Sequence, residues 1–504
     1  MLNYYTSFCR RKSVEFREEE RWIGMSDRKN MTTGVAWKEI LLFSLPIMFG
    51  QFLQQLYNTV DGIVVGNFAG ATPEACEAAL AAVGGCMSLI MLFLAISIGF
   101  GNGGAVLVAQ LYGAKRIHEL RRAASTLLIT LVSLGLFLAV VGSVFSPWLV
   151  VKLMRVTDPN IKDMAIQYFA IYSVGLIFQY AYNSIAGILR AIGDSQATMW
   201  FLIVSAVLNT VLDLLFVIKF GWGVVGVAVA TVIAQAASAI VSLVYMIKKY
   251  PIFRFGKGEF VFDKGKFMIS LRLGIPAIVQ QAVVSVGNVF IQRLVNSFGQ
   301  TTMSAFTVGN RMESYALVPI FGMNMGSATF TGQNVGAGKY DRVHQGWKVS
   351  TIMACIASAI ISLILNLFAP EFAALFNLSG EAAAQAVEYQ RYISYCIILF
   401  AAYMPTSGLL QGAGDALWSS AASLLTLTIR VLTAYGLAYL LDFGYASCWM
   451  TMPIGWAVGI LFTYPRYFRG KWKNKAVVKP LEEGAMVEAG LLTGEDGAED
   501  SDDQ

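Results

Sequence analysis

Twelve stretches of this chain read as long and apolar enough to cross a lipid bilayer, and that pattern leaves very few folds open to it. A spanning helix needs about 20 predominantly apolar residues. The stretches cover residues 38–65, 78–111, 119–147, 163–189, 196–218, 223–247, 267–298, 303–332, 345–370, 384–410, 416–440 and 444–465. In hydrocarbon every backbone N–H and C=O must find a partner inside the protein, so a span is a helix or a strand of a closed barrel. Barrel strands read as short alternating segments, and these runs are long and continuous. The sequence therefore predicts an all-α integral membrane protein of twelve transmembrane helices. Composition agrees, because only 14% of the residues are charged, where a soluble domain carries about 25%.

Lys and Arg set the orientation, since short cytoplasmic loops retain them. Counted from an internal amino terminus, nineteen fall inside, among them Lys115, Arg116, Arg190, Lys248, Lys249, Lys339, Arg342 and Arg469. Five fall outside: Lys152, Arg155, Lys162, Lys219 and Arg293. Both termini are thus expected in the cytoplasm, with the protein in the cell membrane. This bias accounts for the net charge of +5 and calls for no nucleic-acid partner. Residues 10–30 are charged and lack an apolar stretch of signal length. They read as a cytoplasmic arm, or as sequence ahead of a start at Met25 or Met31. The six Cys are scattered without metal or redox spacing, and His118 and His344 lie in basic loops. No cofactor is expected.

The chain repeats itself. Gln110-Leu-Tyr-Gly113-Ala114 returns as Gln333-Asn-Val-Gly336-Ala337, and the Gly187–Asp194 segment returns as Gly408–Asp415. Phe220-Gly221 returns as Phe443-Gly444, and Pro46 as Pro276. Each unit holds six spans. An even number brings the chain back to the same side, so the two lobes are parallel repeats about an axis along the membrane normal. The expected organisation is a cytoplasmic arm (1–35), a first lobe (36–248), a cytoplasmic linker (249–266), a second lobe (267–468) and an acidic, disordered cytoplasmic tail (469–504). A monomer is expected, because the fold needs no partner.

Ionisable residues inside spans are expensive and mark function by default. Asp61, Asp213, Arg311, Glu313 and Arg430 are such residues here. Asn209 and Asp213 are four apart and share one helix face. An amide oxygen beside a carboxylate begins a site for a hard cation, to which Thr231 would add a hydroxyl. The bland alternative is an Asn–Asp pair that only joins two helices. The repeat supplies a control: the second-lobe counterparts of Asp61 and Asp213 are Ile291 and Ala434, Tyr435 or Gly436. An ion-coupled site would therefore lie in the first lobe. Glu313 reads either as a charge that attracts substrate or as the partner of a basic group such as Arg430. The glycine-rich pieces Gly101–Gly104 and Gly221–Gly226 lack the Lys-Ser/Thr ending and preceding strand of a phosphate loop. They read as close helix packing or helix breaks.

Taken together, these motifs resemble the multidrug and toxic compound extrusion transporters. The carriers are Leu45-Pro46 through Gln54-Gln55-Leu56-Tyr57-Asn58-Thr59-Val60-Asp61, Leu189–Asp194, Leu208-Asn209 through Asp213, and Gly332–Gly338. The resemblance covers residues 36–468. It implies two six-helix lobes around a V-shaped cleft, with entry of Na⁺ or H⁺ driving export of amphipathic, often cationic, small molecules. It also implies a first-lobe cation site at Asp61, Asn209, Asp213 and Thr231, which would hold Na⁺ if that is the coupling ion. Gln54, Tyr57 and Asn183 match substrate-cavity positions, and Glu313 is a further candidate lining residue. Another branch of the family places acids in spans 7 and 10. Here those regions read Gln280-Gln281 through Ser285 and Phe400 through Met404, so a second-lobe site of that type is not expected. Two alternatives stand beside this one. A lipid-linked oligosaccharide flippase tends to carry a cationic cavity, whereas the first-lobe charges here are acidic. A membrane-embedded prenyl transferase needs paired acidic clusters, and here Asn209 occupies the first acidic place.

Overall fold

The computed structural model describes residues 30–479, apart from positions 71, 155–157, 257 and 377. The arm and acidic tail expected at the two ends fall largely at 1–29 and 480–504, outside the described residues. Twelve long helices follow in chain order. The first six are α1 (Ala36–Phe68), α2 (Pro73–Gly113), α3 (Ile117–Val144), α4 (Pro159–Ala191), α5 (Ser195–Asp213, continued by π-helix to Lys219) and α6 (Gly223–Lys249). The second six are α7 (Lys264–Ser297), α8 (Gln300–Gly336), α9 (Tyr340–Leu367), α10 (Gly380–Gly412), α11 (Ala416–Tyr439) and α12 (Met452–Phe468). Short helical turns lead into α12. No strand occurs among the described residues.

The helices begin where the sequence supplies caps. Thr72 accepts from the Ala75 N–H ahead of α2, with Pro73 in the first turn, where its missing N–H costs nothing. Asp194 caps α5 and Asp263 caps α7 in the same way. The echoed glycines Gly193 and Gly414 close α4 and α10 at φ +92° and +91°, a left-handed backbone that favours glycine. One expectation is corrected. Eleven helices among the described residues carry a window apolar enough to span by composition alone, and α8 does not. Its Thr302, Glu313, Ser327, Gln333 and Asn334 are buried, so protein rather than lipid surrounds much of it.

The packing is that of a duplicated unit. In the first six helices α2 packs on α3 and α4, α4 on α3 and α6, and α5 on α1 and α6. Adding six to each number reproduces the packing of the second six. Between the lobes α1 packs on α8 and α2 on α7, again a pair exchanged by the same rule, and α2 meets α8 across the axis. One core joins Leu89, Phe100, Phe169, Tyr180 and Val227 in the first lobe. The other joins Ile291, Phe330, Tyr389, Trp449 and Trp456 in the second, and takes in Ile40, Phe43 and Ile47 from the start of α1.

Glycine allows the close inter-lobe contacts. A Cβ on Gly103 would meet Ser270 O and Gly274 N at 2.6 Å, and one on Gly326 would meet Ser44 Oγ at 2.2 Å. At the ends of α2 and α8 the approach is tighter still. A Cβ on Gly113 would stand 1.8 Å from Gln333 O, and one on Gly336 would stand 1.9 Å from Gln110 O. The two echoed glutamines tie this end together. Gln110 donates to Gly412 O at 2.9 Å and accepts from the Val477 N–H at 2.9 Å. Gln333 donates to Ala191 O at 2.8 Å and accepts from the Met31 N–H at 3.0 Å. This is the basic end, where Lys115, Lys339 and Arg342 lie. The lobes are shut here.

Gly336→Ala is expected to destabilise this closure by about 1–3 kcal/mol through overpacking. A lower melting temperature and a longer distance between spin labels on the two lobes at the basic end would record it. Gly436→Ala, where an added methyl meets nothing within 4 Å, should change neither.

Candidate cation and substrate site

The acidic residue pattern of the first lobe becomes a chamber in three dimensions. A cavity of about 310 Å³ lies between α1, α2, α4, α5 and α6. Gln54, Tyr57, Asn58 and Asp61 reach it from α1, Asn209 from α5 and Thr231 from α6. Asp213, one turn beyond Asn209, is buried behind the wall, and its carboxyl lies within hydrogen-bonding reach of that of Asp61. The regular α-helix of α5 gives way to π-helix directly after Asp213, and such bulges are frequent at functional sites.

Polar contacts hold the group together. Thr231 donates its hydroxyl to Val227 O at 2.9 Å, which leaves its oxygen lone pairs free to face Asn209, 3.3 Å away. With its amide nitrogen turned toward the carboxylate, Asn209 donates to Asp213 Oδ2 at 3.2 Å, and its oxygen accepts from the Thr231 N–H at 3.3 Å. Asp213 Oδ1 has no hydrogen-bond donor among the described residues, and neither has Gln235 Oε1 on the chamber wall. These are hard oxygen donors, the ligand class of Na⁺. Asp61 is half-buried on the chamber wall and Asp213 is buried behind it, and two carboxyls this close repel each other when both are charged. A shared proton or a cation between them would relieve that repulsion.

The remaining expected residues are placed differently. Asn183 is not on the chamber wall, and its amide donates to Ser97 Oγ at 3.0 Å, joining α4 to α2. Glu313 is buried inside the second lobe and accepts from the Tyr389 hydroxyl at 2.6 Å. Arg430 acts on it through its charge, without an ion pair closer than 4.0 Å. The second-lobe counterparts of the acids, Ile291 and Ala434, are packed in the core.

Several lining residues escaped the sequence reading. Tyr168 and Tyr172 on α4, and Gln235 on α6, face the chamber. A signal existed, since Gln235 follows Thr231 by four residues and Tyr172 follows Tyr168 by four, so each pair shares a helix face. The glycine-rich pieces perform the packing expected of them. Gly103 lies against α7, while Gly221 and Gly223 take positive φ at the turn into α6.

Known proteins similar to this chain are numerous. The chain is 28% identical over 454 residues to the probable multidrug resistance protein YoeA of Bacillus subtilis, covering 88% of this chain and 96% of the relative. It is 24% identical over 460 residues to the probable multidrug resistance protein NorM of Thermotoga maritima, covering 88% and 94%. A solved outward-facing multidrug resistance MATE family transporter of the MOP superfamily superposes with a TM-score of 0.81 at 25% identity, covering 88% of this chain and 98% of that one. A MATE structure in the bent conformation gives 0.80 at 25% identity, with the same coverage. The MatE family pattern matches residues 46–215 and 276–436, one block in each six-helix repeat and together well over half of the chain. This chain is a multi-pass membrane protein of the MatE family.

Proposed function

We propose that this protein is a cation-coupled efflux antiporter. It exports amphipathic, often cationic, small molecules by alternating access, with Na⁺ or H⁺ as the coupling ion. One observation carries this reading: Asp61 lines a first-lobe chamber large enough for part of a small molecule, with the buried carboxyl of Asp213 within its reach. The names of the relatives, multidrug resistance proteins, point to the same activity.

The basic end is assigned to the cytoplasm. Lys and Arg are retained there, and the lobes are shut at that end, so the described conformation opens outward. A cation entering from outside neutralises the acid pair. That removes the attraction for a positively charged substrate and favours its release outward. One charge moving inward through 100 mV yields about 2.3 kcal/mol, enough for roughly a fifty-fold gradient of a neutral substrate. Tyr57, Gln54 and Asn58 would contact the substrate from α1, and Asn209 and Thr231 would complete the ion's oxygen shell. The chemistry calls for no cofactor, and the protein is taken to work as a monomer in the cell membrane.

Ethidium efflux from proteoliposomes tests the reading. An imposed Na⁺ or pH gradient should drive efflux by the wild type. Asp213→Asn and Asp61→Asn should each fall to the level of protein-free vesicles while keeping the wild-type melting temperature. Efflux that neither gradient drives would contradict the coupled reading. Orientation has its own test. In a cysteine-free background, a cysteine at Gly338 should resist an impermeant maleimide added to whole cells, and one at Gly221 should react. The reverse pattern would invert the topology.

A further inference from the structure

Arg311 is a charged residue inside a span that the acid chamber does not use. It is the twelfth residue of α8, about 16 Å along the helix from its start. A guanidinium at that depth costs several kcal/mol if it faces lipid, so its direction matters.

The helix repeat fixes that direction. Gly332 and Gly336 are the α8 residues that touch α2 at the basic end. Tyr315, one turn beyond Arg311 and so on the same side, meets the Thr59 hydroxyl at 3.3 Å and the Phe52 ring edge-on, so this side of α8 faces the first lobe. Thr307 lies on the same side, and it and Arg311 are exposed. Glu313, two residues on, points round the helix into the lobe toward Tyr389 and does not neutralise Arg311. No ion pair or hydrogen bond from another described residue reaches the Arg311 guanidinium. On α7, which packs on α2, Asn288 and Gln292 are exposed.

Across the cleft, α2 shows the matching geometry. Met91 precedes Ala109, which touches Gly332, by five turns, and Met91 lines the acid chamber. The chamber thus opens on the cleft that Arg311 faces. The two walls have opposite character. The first lobe offers Asp61 and Asp213, and the second offers Arg311 among amides and hydroxyls.

We infer that Arg311, with its polar neighbours on α7 and α8, is an anion-binding subsite facing the acid chamber. The preferred substrates are then zwitterions that bear a carboxylate beside their cationic group. The inference rests on the transport reading above for its meaning, and binding alone can test it. Guanidinium is the side chain suited to a carboxylate, which it can hold by two parallel hydrogen bonds.

The test compares a rhodamine free acid with its methyl ester, two probes that share one cation and differ in the carboxylate. Binding to the full-length protein is measured by fluorescence anisotropy in phosphatidylcholine nanodiscs. The wild type should bind the acid on the order of tenfold more tightly than the ester. Arg311→Gln should erase that ratio while leaving the ester's Kd within about twofold, and Arg311→Lys should restore part of it. Equal affinity for acid and ester in the wild type would overturn the proposal. So would a loss of both ligands together in Arg311→Gln. Ester binding without gradient-driven ester efflux would count against antiport, while the acid-to-ester ratio would still decide the subsite.

Discussion

Two carboxyls within hydrogen-bonding reach of each other inside a membrane protein repel strongly unless a proton or a cation joins them. Asp61 and Asp213 impose that constraint here. In our reading the chamber therefore has two electrical states, one with a cation or shared proton and one without. Everything else about the site follows from making those states reachable. Asn209 and Thr231 supply neutral oxygens on the same face. Asp213 Oδ1 is left without a donor, and the π-helical continuation of α5 begins beside it. A positively charged guest in the same chamber is bound better when the pair is bare. In our reading the ion and the drug compete through charge, even where they do not touch.

Duplication supplies the frame on which that competition can move two lobes. The helix pairings of the second half repeat those of the first, and small residues let the lobes close at the basic end. Divergence supplies the function. Where the first lobe has acids around a chamber, the second has Ile291 and Ala434 in a packed core. The frame is symmetric and the electrostatics are not. One lobe carries the acid chamber, and the other presents Arg311 to the same cleft.

Much of this was legible before any coordinates. Long apolar runs in lipid permit little besides helices, so the spans followed from hydropathy, while their ends, set by caps such as Thr72 and by turn glycines, moved by several residues. The exception, α8, shows the limit of that logic: a helix enclosed by protein need not be apolar. Asp61, Asn209 and Asp213 stood out because intramembrane acids are costly and a spacing of four residues puts two of them on one face. Asn183 and Glu313 were harder. Each is a polar residue in a span, and spacing does not say whether it turns to a cavity or to a neighbouring helix. Here Asn183 ties α4 to α2, and Glu313 binds Tyr389. Tyr168 and Tyr172 were hidden for the opposite reason, since aromatic residues are ordinary in membrane helices and only the fold shows which ones line a void.

In our reading the cation and the substrate compete for the charge of the Asp61–Asp213 pair. The most direct measurement is the equilibrium Kd of a fluorescent cation for the purified protein, taken across a range of Na⁺ concentrations at fixed pH and across a range of pH at fixed Na⁺. The account predicts that affinity falls as one of the two ions rises, and that saturating drug weakens binding of that ion by the same factor, as linkage requires. Drug affinity that ignores both ions would contradict it.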